Sequence, residues 1–203
     1  MKSVRLDGKV LFPSKIVCIG RNYVEHIREL GNEIPSEPVI FIKPNSAIAD
    51  NIRSGAAGEI HYEGEISFII RCGQPAAVGF GLDLTKRDLQ SRLKSRGLPW
   101  ERAKAFDGAA VFSGFVAYNG EVDDLRLELY INDRLVQQGG CELMIYKPSD
   151  IIGEVRGFLT FEDGDIVMTG TPAGVGEVRA GDRFEGKILA GDELVTRASW
   201  VVQ

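Results

Sequence analysis

Residues 60–70, "IHYEGEISFII", place two glutamates inside an otherwise apolar run. Read as a β-strand, this stretch sends alternate side chains to opposite faces. One face then carries, in order, His61, Glu63, Glu65 and Ser67. The two carboxylates would lie about 7 Å apart, with a repulsion of roughly 2 kcal/mol at an effective dielectric of about 20. The pattern predicts either a half-solvated acidic face or a site for a cation.

Short apolar runs bounded by turn residues predict strands through most of the chain. In order they are "KIVCIG" (15–20), "PVIFIKP" (38–44), "AAVGFGLDL" (76–84), "AVFSGFVAY" (110–118), "LRLELYIND" (125–133), "DRLVQQGG" (133–140), "DIVMTG" (165–170), "DRFEGKI" (182–188) and "ELVTRASWVV" (193–202). A loop is predicted over residues 45–59. Because strands outnumber helices, we expect an α+β, β-rich fold with a mixed or antiparallel β-roll.

Three segments have the punctuation of helices: "RNYVEHIRELG" (21–31), "KRDLQSRLKSR" (86–96) and "SDIIGEVRGFL" (149–159). Their predicted N-caps are Asn22, Thr85 and Ser149. Glu25 would close a capping box with Asn22, and Gly31 occupies the C′ position of the first helix. The tract after that helix, "GNEIPSEP", is polar and rich in turns, so we expect the helix to act as a lid that becomes ordered over a bound ligand.

The composition excludes several classes of protein. With 203 residues, 44% of them hydrophobic, the chain is long enough for one good core. The net charge of −5 offers no basic surface for nucleic acid. Three cysteines without a CxxC spacing indicate reduced thiols in a cytoplasm rather than a disulfide framework. The sequence shows no signal peptide and no apolar run near the roughly 18 residues of a membrane span.

Neither a repeat nor a low-complexity linker divides the chain. We therefore expect one domain over residues 1–203, in which residues 1–14 form an N-terminal lead-in.

The carboxylates form the first candidate site. Glu63 and Glu65, joined by Asp83 at the end of a later strand, would offer three oxygen ligands to a hard divalent cation. Oxygen-only ligands favour Mg²⁺ or Mn²⁺ over zinc. The alternative from spacing alone is an acidic face turned to solvent.

His26 and Glu29 form the second candidate site, because positions i and i+3 of a helix are neighbours. A glutamate that accepts from one imidazole nitrogen fixes the tautomer and leaves the other nitrogen free to take a proton. The alternative is an ordinary surface pair worth a few tenths of a kcal/mol.

Two weaker signals complete the set. The glycine loop "TGTPAGVG" (169–176) lacks the endings of a P-loop and of a dinucleotide fold. It fits a tight turn that presents backbone N–H groups and Thr171 to an anionic group, or a plain hairpin connection. Lys104 precedes a strand and could meet a substrate carboxylate or enolate, although lone lysines are usually solvated.

Six stretches together resemble the fumarylacetoacetate hydrolase family. In the family's order they are "CIGRNYVEHIRELG", "PVIFIKP", "HYEGEISFII", "GLDLTKRDLQ", "GLPWERAKAFDGAAVFSGF" and "MTGTPAGVG". The resemblance covers residues 15–203 and is greatest to the short single-domain branch. That branch includes acylpyruvate and fumarylpyruvate hydrolases and oxaloacetate decarboxylases or tautomerases. It implies a mixed β-roll, with the metal site walled by strands, usually assembled as a homodimer.

The resemblance implies a role for each candidate residue. The ligands of Mg²⁺ or Mn²⁺ would be Glu63, Glu65 and Asp83. The catalytic residues would be His26 as the base, Glu29 as the residue that orients it, and Lys104 near the reacting carbonyl. The keto-acid end of the substrate would be bound by Arg87, Gln90 and Thr171.

The activity placed first is hydrolysis of the C–C bond of a 2,4-dioxo acid, giving pyruvate and a carboxylic acid. The alternative is decarboxylation or keto–enol tautomerisation of oxaloacetate, because all three reactions need a metal-stabilised enolate. A third reading, from another class, is a non-catalytic β-roll that binds small carboxylates or a protein partner. The presence of the acidic triad and of the His–Glu pair counts against it.

Overall fold

The computed structural model describes residues 1–55 and 59–203, and strands dominate it. The strands are β1 Val4–Leu6, β2 Lys9–Leu11, β3 Lys15–Gly20, β4 Val39–Pro44, β5 Ile48–Ala49, β6 Ile60–Tyr62, β7 Gly64–Arg71, β8 Gln74–Asp83, β9 Thr85–Lys86, β10 Ala110–Phe112, β11 Val116–Ala117, β12 Leu125–Ile131, β13 Arg134–Gly140, β14 Ile166–Met168, β15 Gly176–Glu177, β16 Arg183–Ala190 and β17 Glu193–Val201. The α-helices are α1 Val24–Glu29, α2 Arg87–Ser95, α3 Glu101–Lys104 and α4 Pro148–Arg156. The predicted α+β, β-rich class is confirmed.

The strands form two large sheets and two small ones. In the eight-stranded sheet the order is β4-β3-β14-β7-β8-β10-β5, with β11 also paired to β8. Its β14–β3 and β10–β5 pairs are parallel and the others are antiparallel, so the sheet is mixed, as predicted. A four-stranded antiparallel sheet has the order β13-β12-β16-β17. The small sheets are β15-β6-β9 and β1-β2.

The main core lies between the two large sheets. Its buried side chains include Phe68 and Phe80 from the first sheet and Leu127, Phe184 and Trp200 from the second. Burying each of these side chains contributes about 2 kcal/mol of hydrophobic free energy. Helix α4 covers β3 and β14 with a separate apolar cluster, on the same face of the sheet as Phe68. Within the described ranges, no helix has the length and hydropathy needed to cross a membrane.

The segment predicted as one strand over residues 60–70 is interrupted at Glu63. Strand β6 belongs to a small sheet and β7 to the eight-stranded sheet, so the prediction of a continuous strand is wrong at this residue. A Cβ added at Gly64 would lie 3.1 Å from both the Phe80 ring and the Gln137 amide oxygen, which explains the glycine beside the break. The Glu63 carbonyl accepts a hydrogen bond from Asp83 N at 2.9 Å, and this contact brings the two acidic residues together.

A second predicted strand, residues 110–118, is also broken, into β10 and β11. The predicted loop over residues 45–59 contains a single 3₁₀ turn, Asn45–Ala47, and the short β5. Its residues 56–58 lie outside the described ranges.

The three predicted N-caps are wrong. None of the helices α1, α2 and α4 has a side-chain cap at Asn22, Thr85 or Ser149. The side chains of Asn22 and Thr85 form tertiary hydrogen bonds instead. The Asn22 carboxamide donates to Tyr146 O at 2.9 Å and Thr169 O at 2.8 Å, so it anchors the start of α1 to the rest of the fold. Thr85 lies in strand β9.

One end signal is correct. Gly31 follows α1 with φ +61°, the left-handed conformation expected of a C′ glycine. The N-cap of α4 is Lys147, two residues before the predicted Ser149, and the Asp150 carboxylate accepts from the Lys147 backbone N–H at 2.9 Å.

Candidate functional site

Three carboxylates meet where β6, β7 and β8 come together. Glu63 lies in the break between β6 and β7, Glu65 on β7, and Asp83 at the end of β8. One oxygen from each lies within 4.8 Å of the others. Their exposed fractions are 6%, 1% and 1%, so the alternative of an acidic face turned to solvent is excluded. The antiparallel pairing of β7 with β8 produces this convergence, because it sets Glu65 opposite Gly81, two residues before Asp83.

Three cations compensate the carboxylates. Lys104 Nζ donates to Glu63 Oε2 at 2.8 Å, Asp83 Oδ2 at 2.7 Å and the Thr85 hydroxyl at 2.6 Å. Lys43 Nζ lies 2.8 Å from Asp83 Oδ1, and Arg87 pairs with Glu63. Lys104 is only 3% exposed, so the alternative of a solvated lysine is excluded. All three of its ammonium donors are already engaged by protein oxygens.

The charges within this cluster shift the pKa values in opposite directions. Burial opposes ionisation of Glu63, but Lys104 and Arg87 outweigh it and lower the pKa of Glu63. Burial raises the pKa of Glu65 well above its usual range, and the charges of Asp83 and Glu63 raise it further. Burial would lower the pKa of Lys104, but Asp83 and Glu63 raise it to about 12. An added positive charge would therefore favour the ionised form of Glu65 more than that of Glu63.

The His26–Glu29 pair is formed and lies against this cluster. His26 Nδ1 is 3.1 Å from Glu29 Oε2, and the imidazole is 6% exposed. Glu29 is itself held, because its two carboxylate oxygens accept from Gly174 N at 3.0 and 3.2 Å. With Nδ1 directed at Glu29, the other ring nitrogen is available to the cavity that His26 lines. The pair thus joins a buried imidazole to a carboxylate that is about one-third exposed (34%) but held by the backbone, which distinguishes it from an ordinary surface pair.

The glycine loop at residues 169–176 presents N–H groups to anions, and those anions are the protein's own carboxylates. Gly170 N donates to Glu65 Oε2 at 2.8 Å, and Gly174 N donates to Glu29. Both glycines have φ near +100°, a region that favours glycine. Thr171 donates to Gly64 O at 2.8 Å. The loop therefore positions the acidic side chains of the site.

The predicted substrate contacts line a cavity of about 40 Å³ together with Glu63, Glu65, His26 and Lys104. Arg87 donates to Gln90 Oε1 at 2.9 Å, and both side chains face this cavity. Thr171 lines it as well, with its hydroxyl proton used by Gly64 O. A second cavity, of about 550 Å³, adjoins the first and shares Phe41, Trp100 and Lys104 with it. The structure thus brings all nine sequence-predicted residues to one place, while their individual roles stay predictions.

Two residues of the site were missed by the sequence analysis. Lys43 is fully buried on β4 and supports Asp83. The only sequence signal was a lysine near the end of an otherwise apolar strand, where a buried cation needs an anionic partner. Gln137 on β13 accepts from Gly64 N at 2.9 Å and donates to Thr171 Oγ1 at 2.8 Å. Nothing in its local sequence distinguishes it from a surface glutamine.

The cluster fits a divalent cation on three grounds. Its donors are all oxygens, which hard cations prefer. The three oxygens are close enough to share one centre. Among the described residues, Glu65 Oε1 receives no hydrogen bond, and Glu65 faces the cavity. Like charge concentrated at a buried carboxylate is relieved by a bound cation.

Comparison with known proteins gives a consistent result. The family described as "Fumarylacetoacetate (FAA) hydrolase C-terminal" matches residues 15–200. The chain belongs to the fumarylacetoacetate hydrolase family. It is 39% identical to the oxaloacetate tautomerase YcgM of Escherichia coli (strain K12), over 91% of this chain and 92% of that protein. The resemblance inferred from the six sequence stretches is confirmed.

Solved structures of the family superpose closely on this chain. A crystal structure from Oleispira antarctica has a TM-score of 0.94 at 37% identity, covering 100% of both chains. Fumarylpyruvate hydrolase from Pseudomonas aeruginosa, in complex with Mn²⁺ and pyruvate, has a TM-score of 0.87 at 28% identity, covering 98% of this chain and 94% of that one. The predicted fold is therefore confirmed, and the chain is an enzyme of the fumarylacetoacetate hydrolase family.

Proposed function

We propose that this protein catalyses keto–enol tautomerisation of oxaloacetate, with Mg²⁺ or Mn²⁺ held by Glu63, Glu65 and Asp83. The observation that carries the proposal is the convergence of three buried carboxylates beside an oriented His26–Glu29 pair. Similarity to an oxaloacetate tautomerase over nine-tenths of the chain supports this reaction. It favours the alternative drawn from the sequence over acylpyruvate hydrolysis, which the sequence analysis placed first.

Tautomerisation moves one proton between a carbon and an oxygen of the substrate. His26 is the group that takes the proton from the carbon next to the keto group and returns it, since Glu29 holds its tautomer. Glu29 in turn cannot rotate away without losing the two contacts from Gly174 N. The bound cation would act as a Lewis acid that stabilises the enolate charge.

The cationic residues position both the ligand carboxylates and the substrate. Lys104 holds Glu63 and Asp83 in one orientation, because it donates to both. Arg87, fixed by Glu63 and Gln90, faces the cavity and would bind the substrate carboxylate nearest the cation. Burial of the whole group excludes bulk water and strengthens each of these charge interactions.

The experiment is a direct assay of the enol form. Enol oxaloacetate would be mixed with the enzyme, and the loss of its ultraviolet absorbance followed, with Mg²⁺, with Mn²⁺ and after chelation by EDTA. We expect metal-dependent acceleration over the buffer rate. No acceleration with either metal would reject the proposal.

A second candidate is hydrolysis of acylpyruvates or fumarylpyruvate, which the likeness to the Pseudomonas aeruginosa fumarylpyruvate hydrolase supports. The same His26–Glu29 pair could deprotonate a water molecule instead of a carbon. Assays with acetylpyruvate and fumarylpyruvate, scored by released pyruvate, separate the two. Decarboxylation of oxaloacetate is measured in the same panel by the release of pyruvate and CO₂ from oxaloacetate.

The homodimer expected from the family is part of the proposal. Sedimentation velocity of the purified chain would test it, and a single monomeric species at micromolar concentration would contradict it.

A further inference from the structure

Arg21 has an unusual conformation for its position. It follows directly after β3 and has φ +58°, a left-handed conformation that costs a non-glycine residue about 1 kcal/mol or more. Its neighbour Asn22 fixes this turn, because the Asn22 carboxamide binds the backbone of Tyr146 and Thr169. Strain of this kind persists where the surrounding structure imposes it and is concentrated at functional sites.

The side chain of Arg21 has no anionic partner among the described residues. Its Nε is buried and unbonded, and the guanidinium forms no salt bridge within residues 1–55 and 59–203. Yet Arg21 lines the same cavity as Glu63, Glu65 and His26. A buried guanidinium donor without an acceptor is costly, so a ligand that supplies an acceptor there is favoured.

Lys94 adds a second positive charge to the lining of this cavity. Its ammonium donates to Asn32 Oδ1 at 3.0 Å, a neutral partner, and it lines the cavity as well. Burial lowers the pKa of Lys94, and the neighbouring charges of Arg21 and Arg87 lower it further. Because Arg21 and Lys94 line the same small cavity, a carboxylate bound beside both would relieve their mutual repulsion.

The other cations of the site are already matched. Lys43 and Lys104 contact Asp83, and Lys104 and Arg87 contact Glu63. The positive charge that remains uncompensated in the cavity thus belongs to Arg21 and Lys94.

We infer that Arg21, assisted by Lys94, binds the substrate carboxylate farther from the carboxylate cluster, and so selects keto acids that carry two carboxylates. This inference rests on the proposed function, since it assumes that the keto-acid end occupies the cluster formed by Glu63, Glu65 and Asp83. It makes Arg21 a specificity-determining residue and separates oxaloacetate from acylpyruvates whose far end is apolar.

The test uses two keto acids, one with and one without a second carboxylate. With Mg²⁺ present, calorimetry would compare 3,3-difluorooxaloacetate, which has the second carboxylate and no exchangeable C3 proton, with pyruvate, which lacks it. The variants are Arg21→Gly, which relieves the backbone strain, and Arg21→Lys, which keeps the charge. The matched control is Arg28→Gln, a mostly exposed arginine on α1.

We expect Arg21→Gly to weaken binding of difluorooxaloacetate by about 10- to 100-fold, the loss of one or two charge-assisted hydrogen bonds. Binding of pyruvate should change by less than about twofold, Arg21→Lys should recover part of the loss, and Arg28→Gln should leave both ligands unchanged. Equal weakening of both ligands, or no change in either, would overturn the inference.

The same variants separate this inference from the proposed function. If the wild-type enzyme does not accelerate oxaloacetate tautomerisation but Arg21→Gly still loses the dicarboxylate selectively, the reaction is wrong and the binding site stands. If the wild-type enzyme is active and Arg21→Gly keeps its KM for oxaloacetate, the binding site is wrong and the reaction stands. The thermal midpoint of Arg21→Gly should be no lower than that of wild type, which shows that folding is intact.

Discussion

Two buried acidic sites in this fold are built in opposite ways. Asp165, before β14, accepts hydrogen bonds from Ser14 N at 3.2 Å, Ser14 Oγ at 2.6 Å, Lys15 N at 3.2 Å and Glu162 N at 2.8 Å, and pairs with Lys15 Nζ. Glu65 accepts one backbone hydrogen bond, from Gly170, and faces two other carboxylates. Burial favours the neutral form of both carboxyl groups. At Asp165 the hydrogen-bond donors outweigh burial and lower the pKa, whereas at Glu65 the neighbouring negative charges raise the pKa further.

The difference shows what each site does for the molecule. Five donors around one carboxylate stabilise the fold and tie residues 14–15 to the start of β14. Three carboxylates around a small space, only partly compensated by Lys43, Lys104 and Arg87, raise the pKa of Glu65, and the proposed cation would relieve that repulsion.

The largest expected effect comes from Glu65→Gln. This substitution keeps the shape of the side chain and an acceptor for Gly170 N, but removes one ligand charge. We expect Mg²⁺-dependent activity to fall by about 10³-fold, the size of a lost Lewis-acid contribution. In EDTA, the free energy of unfolding should rise by about 1 kcal/mol, because one of three crowded carboxylates is neutralised. Turnover assays and urea unfolding measure the two effects, and activity within tenfold of wild type would contradict the assignment.

Asp165→Asn should produce the reverse pattern. The free energy of unfolding should fall by about 3 kcal/mol, since Lys15 and several N–H donors lose their charged partner. Activity of the folded fraction should be unchanged. Urea unfolding at pH 7, with enzyme assays at low urea, checks both; a loss of less than 1 kcal/mol would show that the donors find other partners.

The pH dependence of the wild type follows from the same residue. The folded pKa of Asp165 is lower than its unfolded value of 3.8. Its stabilisation is therefore complete above that unfolded value and is lost as the pH falls from there through the folded pKa. Wild type and Asp165→Asn should converge in stability as the pH decreases below about 4.

His26→Gln tests the role of His26 as the general base beside the acidic cluster. We expect tautomerisation to slow by about 10²-fold, the usual contribution of a general base, with little change in Mg²⁺ affinity. Glu29→Gln should have a smaller effect, because glutamine can still accept from Nδ1 and from Gly174 N. Steady-state kinetics, with Mg²⁺ titrations as the control, measure this. If metal affinity falls in parallel with the rate, His26 acts on the cation site and not on the substrate.

The smallest effect concerns the predicted lid. Helix α1 is held by Asn22 at its start and by the contacts of Glu29 with Gly174 at its end. We expect amide exchange in residues 24–32 to slow several-fold when oxalate and Mg²⁺ are bound, while exchange near Asp165 stays constant. Equal exchange in α1 with and without ligand would contradict the lid.

The sequence predicts the parts of the fold that depend on local pattern. "KIVCIG" and "PVIFIKP" form strands with the predicted bounds within one residue, because apolar runs between turn residues have few other solutions. The local pattern does not predict the point where the chain leaves one sheet and enters another. Glu63 passes the chain from one sheet to another, and that change depends on the partner strands β9 and β8 rather than on the glutamate.

The site residues follow the same division. The acidic triad and the His26–Glu29 pair could be proposed because the chemistry limits which residue types can act together. The local pattern predicts helix caps at Asn22 and Thr85, because capping depends on neighbouring residues, whereas their actual contacts lie far away in the sequence or across the site. The burial of Lys43 cannot be predicted from its own strand, because its partner Asp83 lies 40 residues later in the sequence.

The glycine loop also limits how the enzyme can diverge. Gly170 and Gly174 hold the side chains of Glu65 and Glu29, so the three residues between these glycines set the separation between the proposed cation site and the proposed proton-transfer pair. An insertion or deletion between them would move one side relative to the other and misalign any substrate held between them. Relatives that accept longer substrates are therefore expected to keep the length of this loop and to change other lining residues, such as Phe41 and Trp100.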